Sequence, residues 1–298
     1  MPADRPVSSR STASLDLAIL ELQARVIGPA DIVAGLRELF PVPPAWTVER
    51  GVAIAEEEGV PVFAVTRRPD GSTQVQVEGH GGTRATIEVG MELLATLEWA
   101  IASVAVEVLG EGYLLLHAGV VARDGRAIIM PGGSGSGKST LTAALAAAGF
   151  LLGSDEVAVL DPVTLEVLPF VRSICVKDGS RGPLAPAYPA LLTDAPHHRF
   201  GGEEVWYIRP PSDAWLPAPV PVGAVVVPRY VVGAATRLEP LARSATLQVL
   251  LQQSFSVPKH GAFGIGTLTD LLQDVACYRL TFGSLDDAVQ LLTNLPPA

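Results

Sequence analysis

Gly132-Gly133-Ser134-Gly135-Ser136-Gly137-Lys138-Ser139 is a complete G-x-x-x-x-G-K-[ST] pattern. The chemistry such a segment can do is phosphate binding. Glycines let backbone N–H groups turn inward around phosphate oxygens, and a helix starting at the lysine adds a partial positive charge. At this spacing Lys138 is placed to reach the β- and γ-phosphates and Ser139 to ligate Mg²⁺. With Thr140, residues 132–140 are the expected nucleotide-binding stretch. A flexible Gly/Ser linker is the plain alternative, but a linker has no reason to carry Lys-Ser between an apolar strand and a helix.

Two further groups belong to the same chemistry if the elements around the loop position them. Asp124-Gly125 between Tyr113–Ala122 and Arg126–Pro131 predicts a two-residue hairpin turn. In that register Arg123 faces Arg126, and His117 lies opposite Gly132 at the mouth of the loop. Leu141–Ala148, ended by Gly149, reads as the helix after the loop. A right-handed crossover then returns Phe150–Ser154 parallel to the strand before the loop. Its carboxyl end brings Asp155 and Glu156 to the edge where open α/β sheets bind ligands. On an extended strand the two carboxylates point to opposite faces, so one can serve chemistry or metal while the other does something else. A solvated acidic turn is the bland reading of the same residues.

The rest of the chain supplies scaffold. Residues 1–12 are expected to be disordered, and Leu15, Ile19, Leu22 and Val26 predict a helix from Ser14 to about Val26. Pro41-Val42-Pro43-Pro44 breaks the chain. Val60–Thr66, Thr73–Val77 and Ala85–Val89 read as strands, with a turn at Asp70-Gly71. Met91–Leu109 predicts a helix with a wide buried stripe of Leu93, Leu94, Leu97, Ile101, Val104 and Val108. Val157–Leu160 is strand-like and residues 178–220, rich in proline, glycine and histidine, read as long loops. Ala224–Val232 is a further strand, and Ala245–Phe255 and Leu268–Ala276 are helices. Tyr278–Thr281 is a last strand, followed by a helix from Leu285 that Ser284 caps, with Asp287 completing the pattern.

Composition narrows the function classes. Of 298 residues, 48% are hydrophobic and 17% charged, which fits a globular chain with a buried core. The formal charge of −10 and the lack of a Lys/Arg run argue against nucleic acid as a partner. Glu92, Glu98 and Glu107 make a membrane crossing by Met91–Leu109 costly, and the cytoplasm is the simplest location. Cys175 and Cys277 sit in apolar strand-like settings and read as small buried hydrophobes.

The order of these elements carries a resemblance. His117-Ala118-Gly119-Val120-Val121, then GGSGSGKST, then Leu152-Gly153-Ser154-Asp155-Glu156-Val157 is similar to the catalytic domain of the HPr kinase/phosphorylase superfamily. Ile208-Arg209-Pro210-Pro211, Val226-Val227-Pro228-Arg229-Tyr230 and Cys277-Tyr278-Arg279-Leu280…Ser284-Leu285-Asp286-Asp287-Ala288 extend the likeness to the HPr-kinase-related kinase A branch. It covers about residues 113–298. The resemblance implies an α/β P-loop kinase domain there, preceded by an α+β region at 13–112. By position, His117 matches a histidine that supports the catalytic aspartate, Asp155 the aspartate that takes the acceptor's proton, and Lys138 and Ser139 the phosphate and magnesium residues. Val171-Arg172-Ser173-Ile174-Cys175-Val176-Lys177 departs from the family, which has a magnesium-ligating glutamate in that region. Glu156 and Glu204 are then the candidates for the second metal ligand. Arg172, Lys177 and Arg209 are candidates to neutralise phosphate or hold the acceptor.

The expected activity is ATP- and Mg²⁺-dependent phosphoryl transfer to a hydroxyl, with serine of a protein or peptide as the acceptor and a homo-oligomer left open. A nucleotide-sensing module with slow ATPase activity, or a small-molecule kinase, is the alternative.

Overall fold

Leu15, Leu17 and Ile19 alternate with Ser14, Asp16 and Ala18, a period of two that is compatible with a strand as well as with the helix expected above. The computed structural model describes residues 12–20, 22–40, 60–68, 73–78, 85–89, 93–199 and 202–295. In it β1 (Thr12–Ile19) and β2 (Leu22–Pro29) form an antiparallel hairpin, where a helix was expected. The four residues that suggested the helix explain the error. Leu15 pairs with Val26 and Ile19 with Leu22 across the hairpin, so a helical spacing and a folded ribbon bring the same side chains to one face. After α1 (Ala30–Leu39), strands β3 (Val62–Arg67), β4 (Thr73–Glu78) and β5 (Ala85–Val89) complete a five-stranded sheet in the order β1-β2-β3-β4-β5. These three strands agree with expectation to within a few residues. The expected break at Pro41–Pro44 and turn at Asp70-Gly71 lie outside the described residues, as does the expected disordered stretch apart from Thr12, the first residue of β1.

Helix α2 (Leu93–Leu109) forms as expected, with Leu93, Leu97 and Ile101 buried. Its apolar face joins the two sheets, for one hydrophobic cluster runs from Leu15 and Val26 through Leu97 and Ile101 to Leu115 and Phe170.

Next come β6 (Leu114–Arg123) and β7 (Arg126–Pro131), joined by Asp124 at φ 53° and Gly125 at φ 75°, the left-handed pair that a two-residue hairpin turn requires. Helix α3 (Lys138–Ala147) follows the glycine-rich loop and leads to β8 (Leu151–Ser154), β9 (Val157–Leu160), β10 (Glu166–Leu168) and β11 (Ile174–Lys177). The chain continues through α4 (Asp178–Leu184), β12 (His197–His198), β13 (Glu204–Ile208), β14 (Val220–Tyr230) and β15 (Arg237–Pro240). It ends with α5 (Arg243–Gln252), α6 (Val257–Asp274), β16 (Ala276–Phe282) and α7 (Leu285–Thr293). The Ser284 hydroxyl accepts from Asp287 N at 3.2 Å, the cap the sequence leads one to expect.

The large sheet has eight strands, ordered β10-β9-β6-β7-β14-β16-β15, with β8 also paired to β6. Alternation along β6 and β7 sorts its two faces. Leu114, Leu116 and Ile129 join Leu250, Leu268 and Leu272 of α5 and α6. On the opposite face Val121, Ile128 and Met130 meet Leu141 and Leu145 of α3 and Leu292 of α7. The crossover through α3 returns β8 in the direction of β7, but beside β6. The fold is therefore mixed α/β, with several sheets and seven α-helices among the described residues.

Residues 178–220 are not the long loops expected of them. Strands β11, β13 and β12 make a three-stranded sheet whose Ile174, Val176, Trp206 and Ile208 are buried. The proline and glycine content hides strands this short. Helix α4 is made of poor helix formers and is held from outside, by burial of Leu184 and by Arg181 stacked 4.2 Å above the Trp206 ring. Likewise α6 begins well before Leu268, because Gly261, Gly264 and Gly266 mask its first turns, and Gly261 at φ 55° kinks it. Among the described residues no helix is long and apolar enough to cross a membrane.

Candidate functional site

Gly132 N donates to His117 O at 3.4 Å, so the hairpin register holds until the loop begins and puts His117 opposite Gly132. The loop then turns through Gly135 at φ 80° and Gly137 at φ 92°. A side chain at Gly137 would be excluded twice, by this left-handed backbone and by Phe282 Cζ, 2.8 Å from the Cβ position. At Gly133 and Gly135, which line the cavity described below, a Cβ would meet nothing within 4 Å. Ser136 Oγ is buried with no hydrogen-bond partner and lies 2.8 Å from where a Cβ on Gly132 would sit, so Gly132 has no room for a side chain.

Lys138, the first residue of α3, is buried and donates from Nζ to Gly132 O at 2.7 Å. His117 Nε2 lies 3.2 Å from the same Nζ. An ammonium can only donate, so the imidazole accepts and its proton sits on Nδ1. Burial holds the Lys138 pKa below its ordinary value. Burial, and then the Lys138 charge, also lowers that of His117 and keeps the ring neutral. Thr140 Oγ1 shares a hydrogen bond of 2.6 Å with Ser180 Oγ. The loop, Ser139 and Thr140 wall a cavity of about 440 Å³ that His117, Asp155, Glu156, Lys177 and Arg199 also line.

The two carboxylates do not point to opposite faces as expected. Ser154 Oγ accepts from the N–H groups of Glu156 and Val157 at 3.2 and 3.0 Å, bending the chain between β8 and β9. Both side chains then meet one guanidinium. Arg172 Nη2 donates to Asp155 Oδ1 at 3.3 Å and to Glu156 Oε2 at 2.6 Å. Asp155 has only 1% of its side chain exposed, and Cys175 N donates to its other oxygen at 3.2 Å. Glu156 keeps 38% exposed. Burial raises the Asp155 pKa against the pull of Arg172. Burial also works to raise that of Glu156, but Arg172, Arg199, His117 and Lys138 outweigh it and leave Glu156 below the usual range.

Arg172 is itself held by Glu98 of α2, a carboxylate with 1% of its side chain exposed. Tyr207 Oη donates to Glu98 at 3.4 Å and Arg199 Nη2 stands 3.7 Å away. The sequence reading missed Glu98, Arg199 and Tyr207. Glu98 had a usable signal, a carboxylate flanked by Leu97 and Ile101 on the buried stripe of α2. Arg172 is a candidate to neutralise phosphate by sequence, but its charge is balanced inside the fold.

Two other candidates fall outside the site. Arg209 pairs with Glu38 at the end of α1 and donates from Nε to Glu38 O at 3.0 Å. Glu204 is exposed on β13 and does not line the cavity, so it is no metal ligand there. Lys177 lines the cavity while paired to Glu203 at 2.6 Å. His117 lies against Lys138 and not in hydrogen-bond contact with Asp155, whose oxygens Arg172 and Cys175 N engage. Cys175 and Cys277 are free and buried, and burial pushes the Cys175 thiol up to about 12, so it is inert. Among the described residues no group of three or more His, Cys, Asp or Glu could hold a metal ion by itself. The expected ligands Ser139 and Glu156 do line one cavity, with Glu156 favoured in its ionised form, which suits a hard cation shared with phosphate oxygens. No protein-family model matches this chain and no curated protein is similar to it, so the functional argument rests on the site.

Proposed function

We propose that the protein is an ATP-dependent kinase that transfers the γ-phosphoryl group to a hydroxyl, serine of a protein or peptide, in the cytoplasm. One observation carries the reading: a GxxxxGKS loop shares a single cavity with a neutral histidine and two carboxylates. The resemblance of residues 113–298 to the HPr kinase/phosphorylase superfamily supports it, and supports reading the loop as a P-loop.

The loop N–H groups and Lys138 bind the phosphates, with Nζ moving from Gly132 O to the outer phosphate oxygens. Ser139 and Glu156 would hold Mg²⁺, which would supply neutralisation of phosphate charge. The acceptor oxygen attacks the γ-phosphorus, the bond to the β-phosphate oxygen breaks, and ADP leaves. Asp155 takes the proton of the hydroxyl, and its raised pKa brings it closer to that task. His117, neutral and hydrogen-bonded to Lys138, orients the ammonium.

A regulatory module with slow ATPase activity is the second reading. It is favoured by Asp155 having both oxygens engaged within the fold. Incubation with γ-labelled ATP and a cell lysate separates the two, since a kinase labels an acceptor and a sensor releases only phosphate. In the same assay Lys138→Ala is expected to abolish transfer and to weaken ATP binding more than ADP binding, because the side chain mainly serves the outer phosphates. Wild-type affinity and turnover in this variant would refute the loop's role.

A further inference from the structure

The strands reaching the cavity lie in the order β9, β6, β7, β14, β16, and the chemistry divides along it. Asp155 and Glu156, at the β8–β9 bend, and His117 on β6 stand on one side of the loop that follows β7. On the other side β14 ends at Tyr230 and β16 at Phe282. Both strands run parallel to β7, so their carboxyl ends open on the edge where the loop lies. The two rings are 5.5 Å apart at an angle of 57°. Tyr230 N donates to Ser136 O at 3.1 Å, which seats this aromatic pair directly against the loop. Tyr230 remains 47% exposed, and its hydroxyl makes no hydrogen bond among the described residues.

We propose that the exposed face of Tyr230, backed by Phe282, is the stacking surface for a purine base, with little choice between adenine and guanine. The proposal rests on the reading of the loop as a nucleotide site and adds the direction in which the nucleotide lies. The terminal phosphate belongs beside Lys138, His117 and the carboxylates, where transfer occurs. A polyphosphate held along the loop from that end leads its nucleoside away from them, toward β14 and β16. The wall there is Tyr230, Phe282, Gly283 and Leu285. These four residues offer an aromatic face and apolar surface, and among them the phenol is the one side-chain donor or acceptor for a base edge. Stacking is tolerant of base identity, whereas strong discrimination needs polar groups paired to the base edge.

The test is binding of ATP, GTP and inorganic tripolyphosphate to the full chain by calorimetry, for wild type, Tyr230→Leu, Tyr230→Phe and Lys138→Ala. Tyr230→Leu keeps side-chain bulk against Phe282 and removes the π face. It is expected to weaken ATP and GTP by about tenfold or more while tripolyphosphate binds as before, and Tyr230→Phe restores wild-type affinity. Wild type should bind ATP and GTP within about threefold of each other, as a stacking site without edge contacts predicts. Wild-type ATP affinity in Tyr230→Leu overturns the stacking role. A loss shared equally by tripolyphosphate overturns it too, since Tyr230 would then act only by holding the loop. Tripolyphosphate binding that Lys138→Ala leaves unchanged is a separate failure, that of the loop as a phosphate site, and the stacking proposal falls with it.

Discussion

Asp155→Asn is expected to bind ATP like the wild type while phosphoryl transfer falls by about 10²–10⁴, the range a positioned general base contributes. The substitution preserves shape and an oxygen that can still accept from Cys175 N, now 3.2 Å from Oδ2. It removes the proton acceptor and one of the three negative charges around Arg172. The loop and Lys138 are untouched, which is why nucleotide affinity should persist. Glu156→Gln is the informative partner. Glu156 is the more exposed carboxylate and has a depressed pKa, so it suits metal ligation better than proton uptake. Its loss should raise the Mg²⁺ concentration needed for half-maximal transfer, with a smaller effect on the rate at saturating metal. Rates and metal dependence of both variants on an identified acceptor decide the matter. Full activity in Asp155→Asn with an inactive Glu156→Gln would exchange the two roles. Full activity in both would leave the nucleotide-sensor reading as the better one.

Arg172→Met is expected to destabilise the fold by about 3–5 kcal/mol, the cost of stranding buried charges whose partner is removed. Glu98 and Asp155 are almost wholly buried and Glu156 is partly so. Without Arg172 they face one another with Arg199 as the remaining nearby guanidinium for Glu98. Arg172→Lys keeps the charge but cannot reach three carboxylates with one fork, so an intermediate loss is expected. The pH dependence has a definite sign. In the wild type Glu156 has a depressed pKa and so contributes stability above its unfolded value, which is lost as pH falls through the folded one. Glu98 and Asp155 have raised values, so their ionised forms already oppose folding as pH rises. Removing Arg172 enlarges that opposition. The deficit of the variant should therefore be greatest at neutral pH and narrow as pH falls through the raised folded values of Glu98 and Asp155 toward the ordinary carboxylate range. Urea unfolding at several pH values checks this through the midpoint at unchanged slope. A deficit below about 1 kcal/mol at neutral pH would mean that water or rearrangement replaces the guanidinium.

Because the carboxylate cluster ties α2 to the large sheet, the N-terminal sheet and the cavity are linked mechanically. Ser173 N donates to Leu39 O at 2.8 Å and adds a backbone tie from α1 to the chain next to Arg172. Changes in the first hundred residues can therefore reach the carboxylates without touching the loop.

What the sequence by itself determined is whatever short-range geometry decides. The glycine pattern sets the loop, because its bends need left-handed backbone at Gly135 and Gly137. Asp124-Gly125 sets the hairpin register and with it the place of His117, since a two-residue turn leaves one pairing. The stripe of α2 and the Ser284 cap follow from the same local rules. Only the tertiary structure decided between helix and hairpin at Leu15–Val26, where both bury the same four side chains and the neighbouring strand β3 pairs with β2. Only the tertiary structure, too, brought Glu98 to Arg172 across 74 positions and turned Glu156 toward the guanidinium that Asp155 uses. A salt bridge between distant residues leaves no periodic trace along the chain. It exists because the packing of α2 carries a carboxylate out of water, and a buried carboxylate must find a cation.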